Sequence, residues 1–280
     1  DADFFLVIEK AHGLLFNNGG AGTLSTLPDH SACYFDATAP DPETTLGDFL
    51  TRWQAHQDGS GGHRLVVLPT SDHDYSRLNT APRTPRELGA AFTFLLTWGS
   101  VPSIYYGEEI GMRYLTGLPV HEGSQWSPGF NRAGCRSPMQ WNNRQPNAGF
   151  STAPAEKIYL PQDPEPDRPA VAQQLGEPSS TLERVRRLLA VRRTTPELRT
   201  TAATTVLTAG YPFVYRRGER HLVVVNPSGT VRELTLPELR GLTARPLEAD
   251  GVVLADGGTV TVAPFGYGVF EIVRAGGLVV

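Results

Sequence analysis

Apolar residues along this chain fall into two textures. In the first, unbroken apolar runs alternate with helical spacing. Phe4-Phe5-Leu6-Val7-Ile8 is continuous and ends in Glu9, which suits a strand buried on both faces. A Gly- and Asn-rich stretch, His12 to Thr26, leads to a short strand at Ala32–Phe35. Leu46, Phe49, Leu50 and Trp53 then recur at helical spacing within Thr45–Gln57. His63–Leu68 is a second buried-strand run, closed by Pro69 and the polar cluster Ser71-Asp72-His73-Asp74. Pro85–Trp98 predicts a helix with Leu88, Ala91, Phe92, Leu95 and Leu96 on its apolar side and Gly99 as its stop. Val101–Tyr106 is a further strand, ending in Gly107-Glu108-Glu109. Strand, helix, strand, helix, strand in this order argues for parallel βα units.

The second texture begins beyond Pro196. Short alternating runs at Phe213-Val214-Tyr215, Leu222–Val225, Arg232–Leu236, Gly251–Leu254, Val260–Val262 and Gly268–Val273 are separated by turn signals such as Asn226-Pro227-Ser228-Gly229. They predict an antiparallel β module at 200–280. Between the textures, residues 107–178 are rich in Pro, Gly and Asn and lack periodicity, which predicts a long functional loop. An amphipathic helix, Thr181–Arg193, follows it.

Composition narrows the class. No apolar run approaches the ~20 residues needed to cross a bilayer, so no membrane partner is expected. With 25 Lys and Arg against 29 Asp and Glu, the net charge of −4 gathers no basic face for nucleic acid. The two cysteines, Cys33 and Cys135, fit neither a disulfide framework nor a zinc spacing. No signal-peptide pattern precedes the first strand, and the cytoplasm is the favoured compartment.

Candidate chemistry collects where strands end: Glu9, the pair His73/Asp74, and Glu108/Glu109. Each alone has a bland reading as a cap, a turn or a surface charge. Their context changes the balance. Ser71-Asp72-His73-Asp74-Tyr75-Ser76-Arg77, then Pro102-Ser103-Ile104-Tyr105-Tyr106-Gly107-Glu108-Glu109-Ile110-Gly111-Met112, then Arg136-Ser137-Pro138-Met139-Gln140-Trp141 and Asn147-Ala148-Gly149-Phe150-Ser151 together resemble the alpha-amylase superfamily, glycoside hydrolase family 13. The segments are most similar to its alpha-glucosidase, oligo-1,6-glucosidase and trehalose synthase branch.

That resemblance implies an α/β fold: the second half of a TIM (β/α)8 barrel over residues 1–199, with the long loop 107–178 at its mouth, followed by an antiparallel β-sandwich domain over 200–280. It implies Glu9 as general acid/base, Asp74 as transition-state stabiliser, and His73, Arg77 and Arg136 as substrate-binding residues. The family's nucleophile, an Asp after the fourth barrel strand, would precede Asp1. Asp36 lies after Glu9 and has Tyr34 where the family motif has Arg, so it is not expected to serve. Four strands do not close an eight-stranded barrel, so an N-terminal barrel half, as a separate chain or a preceding segment, is the expected partner. The implied activity is retaining hydrolysis of alpha-glucosides or short malto- or isomalto-oligosaccharides, with this chain alone inactive. The alternatives are an alpha-glucosyl transferase or isomerase, and a non-catalytic sugar-binding half-barrel. No cofactor is expected; calcium is an option by resemblance, but no acidic-loop pattern supports a site.

Overall fold

The computed structural model describes residues 46–51, 53–54, 67–74, 76–81, 83–121, 123, 125–127, 130–199 and 202–274. Glu9, Cys33, Asp36 and the expected strands at 3–9 and 31–35 lie outside them. The chain divides into two compact units, one holding 1–88 and 102–185, the other 89–101 and 186–280.

In the first unit, residues 46–51 and 53–54 are helical, and the expected apolar spacing places Leu46, Phe49 and Trp53 inside. Of the run His63–Leu68, the described residues Val67 and Leu68 belong to β1 (Val67–Pro69), which pairs with β2 (Val101–Ser103). β2 is shorter than the expected Val101–Tyr106. Beyond Ser103 the backbone leaves the ladder: the Tyr105 amide donates to the Thr70 hydroxyl at 3.1 Å, while the Thr70 amide donates to Ser103 O at 2.9 Å. The two strand ends are thereby stitched at one level, just before the polar residues Ser71, Asp72, His73 and Asp74 on one side and Glu108 and Glu109 on the other.

The long segment 107–178 is ordered by short elements rather than periodic ones: 3-10 turns at Glu108–Ile110, Arg132–Cys135, Pro146–Gly149 and Ala155–Lys157, a hairpin of β3 (Gln125–Ser127) and β4 (Phe130–Asn131), and one helical turn, Val171–Gln174. Ile110, Met112 and Met139 form its small apolar centre, with Val171 and Leu182 packed on it. The absence of periodicity follows from this construction, because turns of three or four residues present no continuous face.

The helix expected over Pro85–Trp98 starts with a 3-10 turn, Pro85–Glu87. Thr84 closes a capping box on it, with the Glu87 carboxylate accepting the Thr84 amide at 2.8 Å. The α-helical part, Leu88–Thr97, carries no charge, and all ten residues are buried rather than one face of them. The Thr97 hydroxyl donates to Thr93 O at 2.6 Å.

The second unit is organised by a sheet of β5 (Thr204–Thr208), β6 (Phe213–Arg217), β7 (His221–Val225), β10 (Thr259–Arg274), β8 (Arg232–Thr235) and β9 (Leu242–Leu254), in the order β5-β6-β7-β10-β8, with β9 also on β10. β10 is long because it serves two neighbourhoods. Its start, Thr259–Val262, pairs with β8; its end, Tyr267–Glu271, pairs with β7. The change occurs at a register break between Val262 and Tyr267, where Phe265 has φ 60. All five residues of β7 are buried, and four of them, Leu222–Val225, form a continuous apolar run. The core on one face gathers Val214, Leu222, Val224, Val260, Val262 and Phe270.

On the other face, Phe94 and Trp98 meet Phe213 and Tyr215. Trp98 and Tyr215 are edge-on at 5.1 Å, and Phe213 lies 5.8 Å from Trp98. The Tyr215 hydroxyl pairs with Thr97 at 2.5 Å, so its polar tip is satisfied inside. Phe213 has no exposed surface. Phe213→Ala is therefore expected to destabilise the protein by about 3–5 kcal/mol, read as a shift in the denaturant midpoint at unchanged m-value.

Candidate active site

β1 ends at Pro69, and the next nine residues carry the chemistry. The Asp74 amide donates to Asp72 Oδ1 at 2.7 Å, the Asx turn that this Asp-x-Asp spacing favours. The turn presents His73 and Asp74 at its tip. His73 is exposed, and its Nε2 lies 3.4 Å from Asp74 Oδ2. Asp74 Oδ1 accepts from Arg132 Nη1 at 2.9 Å and from Arg136 Nη2 at 3.0 Å. Arg136 also donates from Nε to His73 O at 2.8 Å, so one guanidinium fixes both the backbone and the carboxylate of the tip. About a third of the Asp74 side chain stays open to solvent.

The two arginines are presented by the Arg132–Cys135 turn. Asn131 caps it, accepting the Ala133 amide at 3.0 Å. Gly134 is obligatory there, because a Cβ would stand 2.3 Å from Leu115 O and 2.4 Å from the Tyr114 ring. The buried Cys135 thiol sits 3.2 Å from His73 O, and burial pushes its pKa up to about 12. It is therefore a thiol packed against the tip, not a thiolate.

Beneath the tip lies Glu108, which is wholly buried. It reaches this position because Gly107, at φ 82, turns the chain where a Cβ would collide with Met112. Its carboxyl accepts from Ser71 Oγ at 2.7 Å and from the Leu78 amide at 3.0 Å. These two donors bracket the turn that carries His73 and Asp74. Arg77, also without exposed surface, stands 3.8 Å from Glu108, donates to Tyr106 O at 2.6 Å and to Cys135 O at 2.9 Å, and lies over the rings of Tyr105 and Tyr106.

The structure thus brings His73, Asp74 and Arg136 together at one accessible point and places Arg77 in the interior below it. Glu9 lies outside the described residues. Arg132 is a member that sequence reasoning missed. The available signal was a second cation bracketing Gly134-Cys135 four residues before Arg136. Asp72, His73 and Asp74 bring ligand atoms within 4.8 Å of one another, but Asp74 Oδ1 is already held by two guanidiniums, whose charge offsets the pull of the two carboxylates on a cation. Among the described residues no helix is long and apolar enough to cross a membrane.

Burial raises Glu108 to about 7 against the opposing pull of Arg77, Ser71 and the Leu78 amide. An acid raised in the folded state binds its proton more tightly there than in the unfolded chain. Its contribution to stability is therefore fullest below the ordinary value of 4.5 and declines as pH climbs from there to about 7. Glu108→Gln keeps the shape and removes the titration. Denaturation midpoints measured at pH 5 and pH 7.5 are expected to fall more in the wild type than in this variant, and equal slopes would count against the assignment.

The family model described as alpha amylase, catalytic domain, matches residues 31–201. The trehalose synthase/amylase of Mycobacterium tuberculosis is 32% identical over 189 residues, covering 66% of this chain and 26% of its own length. The probable alpha-glucosidase of Rhizobium meliloti is 32% identical over 173 residues, covering 58% of this chain and 29% of its own. Among solved structures, the trehalulose synthase MutB from Pseudomonas mesoacidophila MX-45 superposes with TM-score 0.67 at 23% identity, over 81% of this chain and 46% of that one. At that identity the likeness speaks for the fold. The chain spans just over a quarter of the curated relatives' length and just under half of the solved structure's. A catalytic-domain match over residues 31–201, more than half of the chain, makes this chain a member of the alpha-amylase family, glycoside hydrolase family 13.

Proposed function

We propose that this chain forms the second half of a (β/α)8 catalytic barrel with a C-terminal β domain, and contributes to a retaining active site for alpha-glucosides or short malto- or isomalto-oligosaccharides. The observation that carries the reading is the Asp74 tip. One carboxylate oxygen is held by two arginines, the other faces His73, and the group is open to solvent in a turn braced from below.

In this reading Asp74 grips sugar hydroxyls as the ring flattens toward the oxocarbenium-like transition state, and His73 donates a hydrogen bond to the same ring. Preorganisation matters because a carboxylate that must reorient loses its electrostatic advantage. Arg132 and Arg136 supply it by fixing Oδ1. Arg136 therefore acts beside the sugar. Arg77 acts through the carbonyls of Tyr106 and Cys135 as a positioning residue. Glu9 is the general acid that protonates the leaving oxygen and then the base that activates water. The nucleophilic carboxylate, ~5–5.5 Å from that acid in retaining enzymes, comes from an N-terminal barrel half.

A second reading, alpha-glucosyl transfer or isomerisation, is favoured by the trehalose synthase/amylase relative. The product distinguishes the two: free glucose for hydrolysis, a new disaccharide for isomerisation, depending on how well the closed site excludes water.

The test uses the assembly of this chain with its N-terminal half and 4-nitrophenyl alpha-glucoside. Asp74→Asn and Glu9→Gln are each expected to lower kcat by roughly a hundredfold or more. Arg136→Met is expected to lower kcat with a smaller change in KM. Full activity in Asp74→Asn would overturn the reading.

A further inference from the structure

Away from the Asp74 tip, but in the same compact unit, lies a cavity of about 590 Å³. It is walled by Asn79, Pro85, Arg86, the Ile110–Arg113 turn, Asn143 and residues between Pro166 and Arg184. Its volume falls within the ~300–1,000 Å³ of small-molecule sites. None of the residues given a role in sugar chemistry lines it.

Charge sets this cavity apart. Arg86, Arg113, Arg168 and Arg184 face it, against the two carboxylates Asp167 and Glu177. Arg113 is engaged with acids, donating from Nε to Asp163 at 2.8 Å and from Nη1 to Asp167 at 2.9 Å. Glu177 is turned onto its own loop, where Oε1 accepts the Ser179 hydroxyl at 2.8 Å. Arg168 is held differently. Its Nε donates to Asn143 Oδ1 at 2.9 Å and its Nη1 to the backbone carbonyl of Asp163 at 2.8 Å. Both acceptors are neutral, so the fork is oriented without its charge being cancelled.

A guanidinium oriented in advance loses little entropy when it meets an anion, and its planar fork matches the oxygens of a phosphate. We propose that this cavity is a phosphate-binding site, with Arg168 as the principal donor, Arg184 on the wall and Arg86 at the rim. The ligand is inorganic phosphate or the phosphate of a sugar ester; the cavity has room for either. This site is independent of the activity assigned to Asp74.

The experiment titrates the full chain with inorganic phosphate, glucose 6-phosphate and, as the neutral control, glucose, using calorimetry. Saturable binding of at least one phosphate compound is expected, with none of glucose. Preference for glucose 6-phosphate assigns the ester; equal affinities assign the free ion. Arg168→Gln and Arg184→Gln should each weaken binding by about tenfold or more. Arg86→Gln, at an exposed rim position, should weaken it without touching the fold, which keeps the test decisive if the other variants lose structure. Absence of saturable binding by either phosphate compound, or unchanged affinity in folded Arg168→Gln and Arg86→Gln variants, overturns the proposal.

Discussion

Everything at the candidate active site hangs from one buried carboxyl. Glu108 accepts hydrogen bonds from Ser71 and Leu78, the two ends of the turn that presents His73 and Asp74. A buried acid is costly in isolation, and removing its partners would leave that cost uncompensated. The arrangement is therefore mutual. The turn supplies the donors that make the burial tolerable, and the carboxyl ties both ends of the turn to one point. Arg77 completes the layer by joining the carbonyls of Tyr106 and Cys135, which belong to the two other segments that meet there.

Above this layer the chemistry is exposed and below it the protein is packed. The division explains why two arginines of one site behave differently. Arg136 has its guanidinium at the surface, where it holds a carboxylate that a sugar can reach. Arg77 has its guanidinium in the interior, where backbone carbonyls and aromatic faces receive it. Both are cations in sequence, and only the packing separates a group that meets solvent from one that holds the loop beneath it.

Much of the secondary structure was legible in the sequence. Strong periodicity located the Thr181–Thr194 helix and the strands β6, β7 and β8, because a fixed period needs only the identity of each residue. Strand-end polar clusters located His73 and Asp74. What stayed hidden depended on long-range partners. β5, with its Thr-rich sequence, is a strand because β6 lies beside it. The full burial of Leu88–Thr97 is visible only once the aromatic side chains of Phe213 and Tyr215 are in place. The different surroundings of Glu108 and Glu109, adjacent in sequence, could not be read from their letters, since burial of the first is set by Ser71 and Leu78 some thirty residues away.

The register break in β10 couples the strands on either side of it. Asn226, with no exposed surface, donates from Nδ2 to Ala263 O at 2.9 Å and to Thr230 O at 2.8 Å, while its own amide donates to Gly266 O at 2.8 Å. One side chain thus pins the point at which a single strand passes from β8 to β7. Because the same strand is an interior member of both neighbourhoods, neither can fray without pulling on the other, and hydrogen exchange across β7 and β8 should report a single opening event rather than two.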